Sequence, residues 1–206
     1  MDLIKRTIIR QRESGFSQHF DFTTYSIIFA KPPIGKEMTN FQKLLKYLRW
    51  IFIMGIPEKT DGYESCSAVR TPQPKSIEPL MGEENELAQL LQGVNYRGYS
   101  KFQHEMVEAH LLKNDKKALA VEVPVYLAAG KTPNKKGWIG EIDLLRVVDQ
   151  RLQVCDFKPD SSSVNQKQVG AQLYRYVWLM HKLTGIPLAD IDGIYFDEKN
   201  AYKIII

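Results

Sequence analysis

Three strand-like segments followed by one long helical segment form the part of the chain that most constrains its fold. The strand-like segments are rich in Val, Ile and Leu and lie at residues 118–127, 138–148 and 151–157. Only Asp149 and Gln150 connect the second segment to the third, so these two should form a hairpin. The helical segment at 165–184 ends before Gly185 and Pro187, which are typical of a helix C-terminus.

Elements on both sides extend this order. Ser100 can cap a helix that runs to about Asn114. After the long helix, residues 192–206 predict a strand, a turn at Lys199–Asn200 and a last short strand. The order α-β-β-β-α-β, followed by the terminal strand, predicts an α/β fold with a mixed central sheet flanked by helices.

The N-terminal part predicts less regular structure. Residues 57–83 are rich in Pro, Ser, Glu and Lys and predict a long loop. Before them we expect a strand or two around residues 23–30 and a helix around 40–54. We therefore divide the chain into an N-terminal extension, residues 1–83, and a core domain, residues 84–206. The residues of the extension indicate no function.

Composition excludes several classes of protein. A chain that is 44% hydrophobic and 25% charged is globular rather than disordered. Two cysteines, Cys66 and Cys155, cannot ligate an iron–sulfur cluster or a four-cysteine zinc site. Residues 44–56 are apolar, but they are too short and too charged to span a membrane; a core helix is favoured there over an interfacial one. The N-terminus is not typical of a signal peptide, so we expect a cytoplasmic protein.

Two acids and a lysine predict a cation site at the hairpin. Asp156 and Lys158 end the third strand and face the same way, because strand side chains alternate. The hairpin brings Asp143 of the second strand into a neighbouring position. Two acids turned inward beside a sheet are costly unless they are paired or bind a metal. The alternative is a surface hairpin with a simple ion pair between Asp156 and Lys158.

Further polar residues lie on the predicted helices and the first strand. Gln168, Gln172 and Tyr176 share one face of the helix at 165–184, which is by itself typical of a polar helix face. His104 and Glu108 lie one turn apart on the helix at 100–114, and either can complete a metal site. Glu122 is another candidate, on the face of the first strand opposite Val121 and Val123.

Together these residues resemble the RecB-like branch of the PD-(D/E)XK nuclease superfamily. The branch is marked by a helical His, Gly-x-x-Asp, Asp-x-Lys and Gln-x-x-x-Tyr. The matching residues are His104, Gly140, Asp143, Asp156, Lys158, Gln172 and Tyr176. The resemblance covers residues 98–206 and implies a restriction-endonuclease-like core. Small RecB-like nucleases of archaeal viruses are similar in size.

The resemblance implies a metal-dependent deoxyribonuclease acting on single-stranded DNA or DNA ends during replication, recombination or repair. Asp143 and Asp156 would hold Mg²⁺ or Mn²⁺, with the carbonyl of Phe157 and with His104 as further ligands. Lys158 would position or polarise the attacking water and balance the charge of the phosphate. Gln172 and Tyr176 would orient the substrate or Lys158. Accessory roles would fall to Glu108, Glu122 and Gln168.

The resemblance also bears on partners and location. DNA is the expected partner, a homo-oligomer such as a dimer is compatible with the superfamily, and a viral protein would work in the host cytoplasm. Phosphate contacts are expected from Lys5, Arg6, Arg10, Arg12, Lys113, Lys116, Lys117, Lys131, Lys135 and Lys136.

Two alternatives stay open: a junction-resolving or restriction-type endonuclease, and a non-catalytic nucleic-acid-binding relative.

Overall fold

The computed structural model describes residues 37–54, 62–68, 70–94, 103–133 and 135–206. Its helices are α1 (Glu37–Met54), α2 (Glu86–Leu91), α3 (Gln103–Asn114) and α4 (Gln166–Thr184). Its strands are β1 (Tyr63–Ser65), β2 (Ser76–Leu80), β3 (Ala118–Leu127), β4 (Gly137–Val148), β5 (Arg151–Phe157), β6 (Ile191–Phe196) and β7 (Ala201–Ile205). The order from α3 to β6 is the predicted α-β-β-β-α-β.

The seven strands form one mixed sheet, as the sequence predicted. The strand order is β1-β4-β5-β6-β7-β2, and β3 pairs with β4. β5 and β6 run parallel because α4 connects them as a crossover. β3, β4 and β5 are antiparallel neighbours, and so are β6, β7 and β2.

The connection between β4 and β5 is the predicted hairpin. Val148 pairs with Arg151, so Asp149 and Gln150 form a two-residue turn. Their φ angles are 45° and 68°, both in the left-handed region. A turn with two such residues matches the right-handed twist of the strands on either side, so it fixes their register. That register sets where Asp143 lies relative to Asp156.

Local signals fix both ends of α4. The side chain of Asn165 accepts a hydrogen bond of 3.3 Å from the Gln168 N–H at the first turn. At the other end, Gly185 adopts φ 72°, and its N–H donates to the carbonyl of His181. This left-handed glycine ends the helix without the steric cost that a Cβ would bring.

Helices cover both faces of the sheet. On one face, α1 and α4 pack over a core that includes Leu48, Ile51, Leu173 and Val177. On the other face, α2 and α3 pack over a second core through Leu91, Val107 and Leu111. Burial on both faces explains why the central strands are continuously apolar rather than alternating.

The long loop predicted for residues 57–83 is wrong where the structure describes that segment. β1 pairs in parallel with the first residues of β4, and β2 pairs with β7 along five residues. Both strands are short and polar: Ser76 and Glu78 are exposed. Such segments carry little apolar periodicity, so their partners rather than their composition make them strands.

The proposed boundary at residue 83 stays a prediction, although strands on both sides of it share one sheet. Some predicted features lie outside the described residues, namely the strand around 23–30 and the cap at Ser100. The helix predicted around 40–54 is α1. The short helix α2 is not among the predicted elements. None of the helices that the structure describes has the length and apolar character needed to cross a membrane.

Candidate metal and active site

A gap in the pairing of β4 positions the candidate site. β3 lies along one edge of β4. On the other edge, β1 pairs with residues 137–139 and β5 with residues 144–148. Residues 140–143 therefore lie between the ends of two different strands. This stretch is the Gly-x-x-Asp motif, so the motif marks an interruption in the sheet.

Asp143 ends this gap and faces α3. Its Oδ2 accepts a hydrogen bond of 2.7 Å from the backbone N–H of Phe157. The same oxygen lies 3.3 Å from Nδ1 of His104. The His104 ring contacts the buried Phe157 ring edge-on at 5.3 Å, which fixes its position above β5. The Asp143 carboxylate on β4 is thus oriented by the backbone N–H of Phe157 on β5 and by the His104 side chain on α3.

Glu108 joins these two residues from the next turn of α3. One potential ligand atom from each of His104, Glu108 and Asp143 lies within 4.8 Å of the others. Glu108 is 4% exposed, a low value for a carboxylate. Spacing of i and i+4 on α3 places both side chains on one face. Among the described residues these three side chains, one imidazole and two carboxylates, form a potential metal-ligand group.

Asp156 and Lys158 form a buried ion pair beside this group. Asp156 is fully buried, and its Oδ2 lies 2.5 Å from Nζ of Lys158. At this distance the contact is an ion pair. The oxygen keeps its capacity to bind a cation.

Gln172 and Tyr176 hold Asp156 from the side of α4. The amide of Gln172 donates 3.0 Å to Oδ1 of Asp156 and lies 3.3 Å from the hydroxyl of Tyr176. Both side chains are buried. Because Gln172 orients the carboxylate, the structure connects the Gln-x-x-x-Tyr and Asp-x-Lys motifs directly. The two motifs therefore converge in the structure, and the roles of their residues stay predictions.

Burial and neighbouring charges shift three pKa values here. Burial, together with the charge of Asp143, raises the pKa of Asp156 to about 6, although Lys158 opposes the shift. Burial lowers the pKa of His104, but the hydrogen bond and charge of Asp143 outweigh it, so that pKa is raised. Burial likewise lowers the pKa of Lys158, yet Asp156 and Asp143 raise it above its ordinary value. The site favours positive charge, as a cation site requires.

Strand β3 is irregular opposite the site. Glu122 has φ 49° and lies across from Asp143, between the pairs Val121–Leu144 and Val123–Ile142. Val121 packs in the core under α3, whereas Val123 packs in the core under α4. The expectation that these two valines share one face is therefore wrong. A left-handed residue within the strand reverses the alternation.

Other predicted residues lie away from this group. The amide of Gln168 donates to the carbonyl of Ser67, so it ties α4 to the segment before β2. Lys117 pairs with Glu86, and Lys136 pairs with Glu64. Lys113, Lys116, Lys131 and Lys135 are exposed. Residues 5–12 lie outside the described ranges. For Phe157 the structure shows the N–H bound to Asp143, and the role of its carbonyl stays a prediction.

A segment that sequence reasoning missed covers the α4 side of the site. The guanidinium of Arg175 is buried, lies 4.4 Å above the ring of Trp138 and donates to the carbonyl of Thr71. It also bonds Glu64 of β1 at 3.1 Å. Cys66, buried in the same segment, lies against Gly140. The sequence carries no signal for these contacts, since an Arg within a polar helix is usually exposed.

Gly140 permits the packing of Tyr176. A Cβ added at Gly140 would lie 2.6 Å from Cε1 of Tyr176 and 3.1 Å from Cβ of Cys66. We therefore predict that Gly140→Ala destabilises the protein by about 1–3 kcal/mol, as overpacking does. Thermal unfolding of a double-mutant cycle with Tyr176→Ala checks this. If the alanine costs as much without the ring as with it, the steric explanation is wrong.

An open cleft adjoins the site on the side of the β5–α4 connection. It has a volume of about 420 Å³, and its lining includes Gln103, Pro159, Asp197 and Lys199. Gln103 precedes His104 and Pro159 follows Lys158, so the cleft opens next to both residues. Both carboxylate oxygens of Asp197 already accept hydrogen bonds, from the N–H groups of Ser161, Lys199 and Asn200.

Comparison with known proteins adds little to this geometry. No protein-family model matches the chain, and no curated protein matches it significantly. The crystal structure of SSO0001 is similar, with a TM-score of 0.37 and 15% sequence identity over 82% of this chain and 78% of that one. So distant a likeness carries no argument about fold or function.

Proposed function

We propose that this chain is a divalent-cation-dependent nuclease that hydrolyses phosphodiester bonds of DNA, acting on single strands or ends. The observation that carries the proposal is the convergence at Asp143. His104 and Glu108 approach it from α3, and the buried pair of Asp156 and Lys158 lies on the adjoining strand. The resemblance of the motifs to RecB-like nucleases supports the same chemistry.

The donor set fits a hard cation. Carboxylate oxygens suit Mg²⁺, and an imidazole beside them also suits Mn²⁺. The buried Oδ2 of Asp156 already contacts one cation, the Lys158 ammonium at 2.5 Å, which supports cation binding here because a buried carboxylate is costly without a positive partner. When bound, a divalent cation would lower the pKa of a coordinated water and stabilise charge on the phosphoryl oxygens.

The chain's own residues supply orientation and charge. Lys158 lies 22% exposed at the end of β5, so its ammonium can meet a phosphate entering from solvent. Its positive charge would favour the pentavalent transition state more than the ground state. Gln172 keeps Asp156 in one orientation, and the Phe157 N–H does the same for Asp143.

The direct test of this function is cleavage of circular and linear single-stranded DNA with and without metal. We expect Mg²⁺ or Mn²⁺ to start hydrolysis and a chelator to stop it. A pure exonuclease leaves the circular substrate intact, whereas an endonuclease cuts both. Flap and four-way substrates distinguish a junction-resolving enzyme. Absence of cleavage on all substrates with either metal rejects the proposal and leaves a non-catalytic DNA-binding protein.

Metal binding can be measured independently of cleavage. We expect calorimetric titration to show Mn²⁺ binding that Glu108→Gln weakens by at least about tenfold, because the amide cannot supply a charged ligand. Glu78→Gln serves as the matched control, since Glu78 is exposed on β2. Equal Mn²⁺ affinity of Glu108→Gln and wild-type protein would exclude Glu108 as a ligand.

We place the proposed nuclease activity in the cytoplasm, or in that of a host if the protein is viral.

A further inference from the structure

Helix α1 presents a basic and aromatic outer surface. Its inner face is buried against the core through Leu44, Tyr47, Leu48 and Ile51. Its outer face exposes Gln42, Lys43, Lys46, Arg49 and Trp50. Residues 42–51 contain three cations and no acidic residue. A helix face with this composition attracts anions and repels cations.

Trp50 is held in place with one part of its ring open to solvent. Its ring lies 5.9 Å from that of Tyr126 on β3 and 6.0 Å from that of Tyr47. It is nevertheless 39% exposed, an unusual value for a large apolar side chain that already has two aromatic neighbours. The hydroxyl of the buried Tyr47 donates 2.8 Å to the carbonyl of Pro124, which anchors α1 on β3.

Further cations lie where β3 ends. Tyr126 is followed by the connection to β4, residues 128–136, in which Lys131 and Lys135 are exposed. Within residues 128–137 there are three lysines and no acidic residue. The side chain of Thr132 is buried and donates to the carbonyl of Lys136, so the connection is fixed rather than splayed. The connection thus adds exposed cations a few residues after Tyr126.

We propose that this surface, formed by the outer face of α1 with Trp50, by Tyr126 and by Lys131 and Lys135, binds single-stranded nucleic acid. Unpaired bases stack on exposed aromatic rings, and cations beside the rings contact the phosphates. The surface is separate from the catalytic residues. Tyr126 pairs with Ile139, four residues before Asp143 on β4, which corresponds to about 13 Å along the strand. The identity of the ligand rests on the proposed nuclease function.

A membrane is the competing partner for a basic helix with an exposed Trp. Helices that lie in a bilayer interface insert a continuous apolar face. Between residues 42 and 51, where the side chains of α1 are described, the apolar face is buried through Leu44, Tyr47, Leu48 and Ile51, and Trp50 is the one exposed large hydrophobic residue. The surface therefore offers one ring and several cations, which suits a strand of nucleic acid better than acyl chains.

Fluorescence anisotropy of a labelled oligothymidylate tests this surface in the presence of EDTA, where cleavage is blocked. Trp50→Ala should weaken binding by about five- to a hundredfold, the range for loss of one stacked base. Lys46→Glu should weaken binding and should reduce the slope of log affinity against log salt concentration by about one. The matched controls are Leu188→Ala and Lys167→Glu, which change exposed residues elsewhere. Tryptophan fluorescence should also be quenched by the wild-type complex.

Each result decides the question. Selective loss of binding in the α1 variants supports the surface, even if no metal triggers cleavage. Failure of the wild-type protein to bind, or unchanged binding by both α1 variants, overturns it. Binding to phosphatidylserine vesicles that depends on Trp50, without binding to the oligonucleotide, also overturns it and assigns the helix to a membrane. Because the assay contains no metal, its outcome is independent of whether the protein is a nuclease.

Discussion

Lys158→Ala should reduce metal-dependent DNA cleavage by about 10²–10⁴-fold, the usual effect of removing a group that assists proton transfer or stabilises the transition state. The Lys158 ammonium is the positive charge nearest to the buried Asp156. It is also partly exposed to solvent. Single-turnover cleavage with saturating Mn²⁺ measures the effect on the chemical step.

The control for this variant is Lys167→Ala, which removes an exposed lysine from the first turn of α4. It should cleave at the wild-type rate. Lys158→Ala also leaves Asp156 buried without its cation, so the metal-free variant should unfold more readily. Mn²⁺ should restore much of that stability. A rate within tenfold of wild type in a folded, Mn²⁺-loaded Lys158→Ala protein would remove the lysine from the mechanism.

Asp156→Asn should abolish cleavage and at the same time stabilise the metal-free protein. A buried carboxylate with a raised pKa costs folding energy whenever it is ionised. At about 1.36 kcal/mol for each pKa unit, a rise from 3.8 to about 6 corresponds to about 2–3 kcal/mol at neutral pH. Asparagine carries no charge and keeps an oxygen for the amide of Gln172. Retained cleavage would exclude Asp156 from the active site.

The pH dependence of this stabilisation has a definite sign. The folded-state pKa of Asp156 lies above its unfolded value. The free energy of unfolding of the wild-type protein should therefore fall as pH rises from about 4 to about 6. In the Asp156→Asn variant the side chain at position 156 does not titrate in this pH range. The difference in unfolding free energy between the two should therefore be small below pH 4 and largest above pH 6. Chemical denaturation in EDTA across this range measures it, and a difference that falls with rising pH would contradict the argument.

The fold was predictable where local signals agree with one another. Continuous apolar segments indicated β3, β4 and β5, the two-residue connection Asp149–Gln150 indicated the hairpin, and Gly185 with Pro187 indicated the end of α4. β1 and β2 were not predicted, because they are short and polar and are stabilised by partners far away in sequence. The reversal of side-chain alternation at Glu122 was not predicted, because the alternating valines on either side of it do not indicate a left-handed residue.

The site was predictable as a set of residues but less so as a geometry. The motifs named Asp143, Asp156 and Lys158, and the hairpin register explains why they lie together. Glu108 was predicted only as an accessory residue, one turn from His104 on the same helix. Its burial depends on α3 packing on the sheet, which no local pattern reveals. The same holds for Arg175 and Cys66, whose contacts join segments far apart in sequence.

The covering segment between β1 and β2 limits how the molecule can be dissected. A fragment starting at residue 84 would retain every motif residue yet lose two strands of the sheet. It would also deprive Arg175 of Thr71 and Glu64, and strip Cys66 from the contact between Gly140 and Tyr176. Excision at that point would expose the α4 side of the candidate site to water. The candidate site residues therefore depend on this segment for their shielding from solvent.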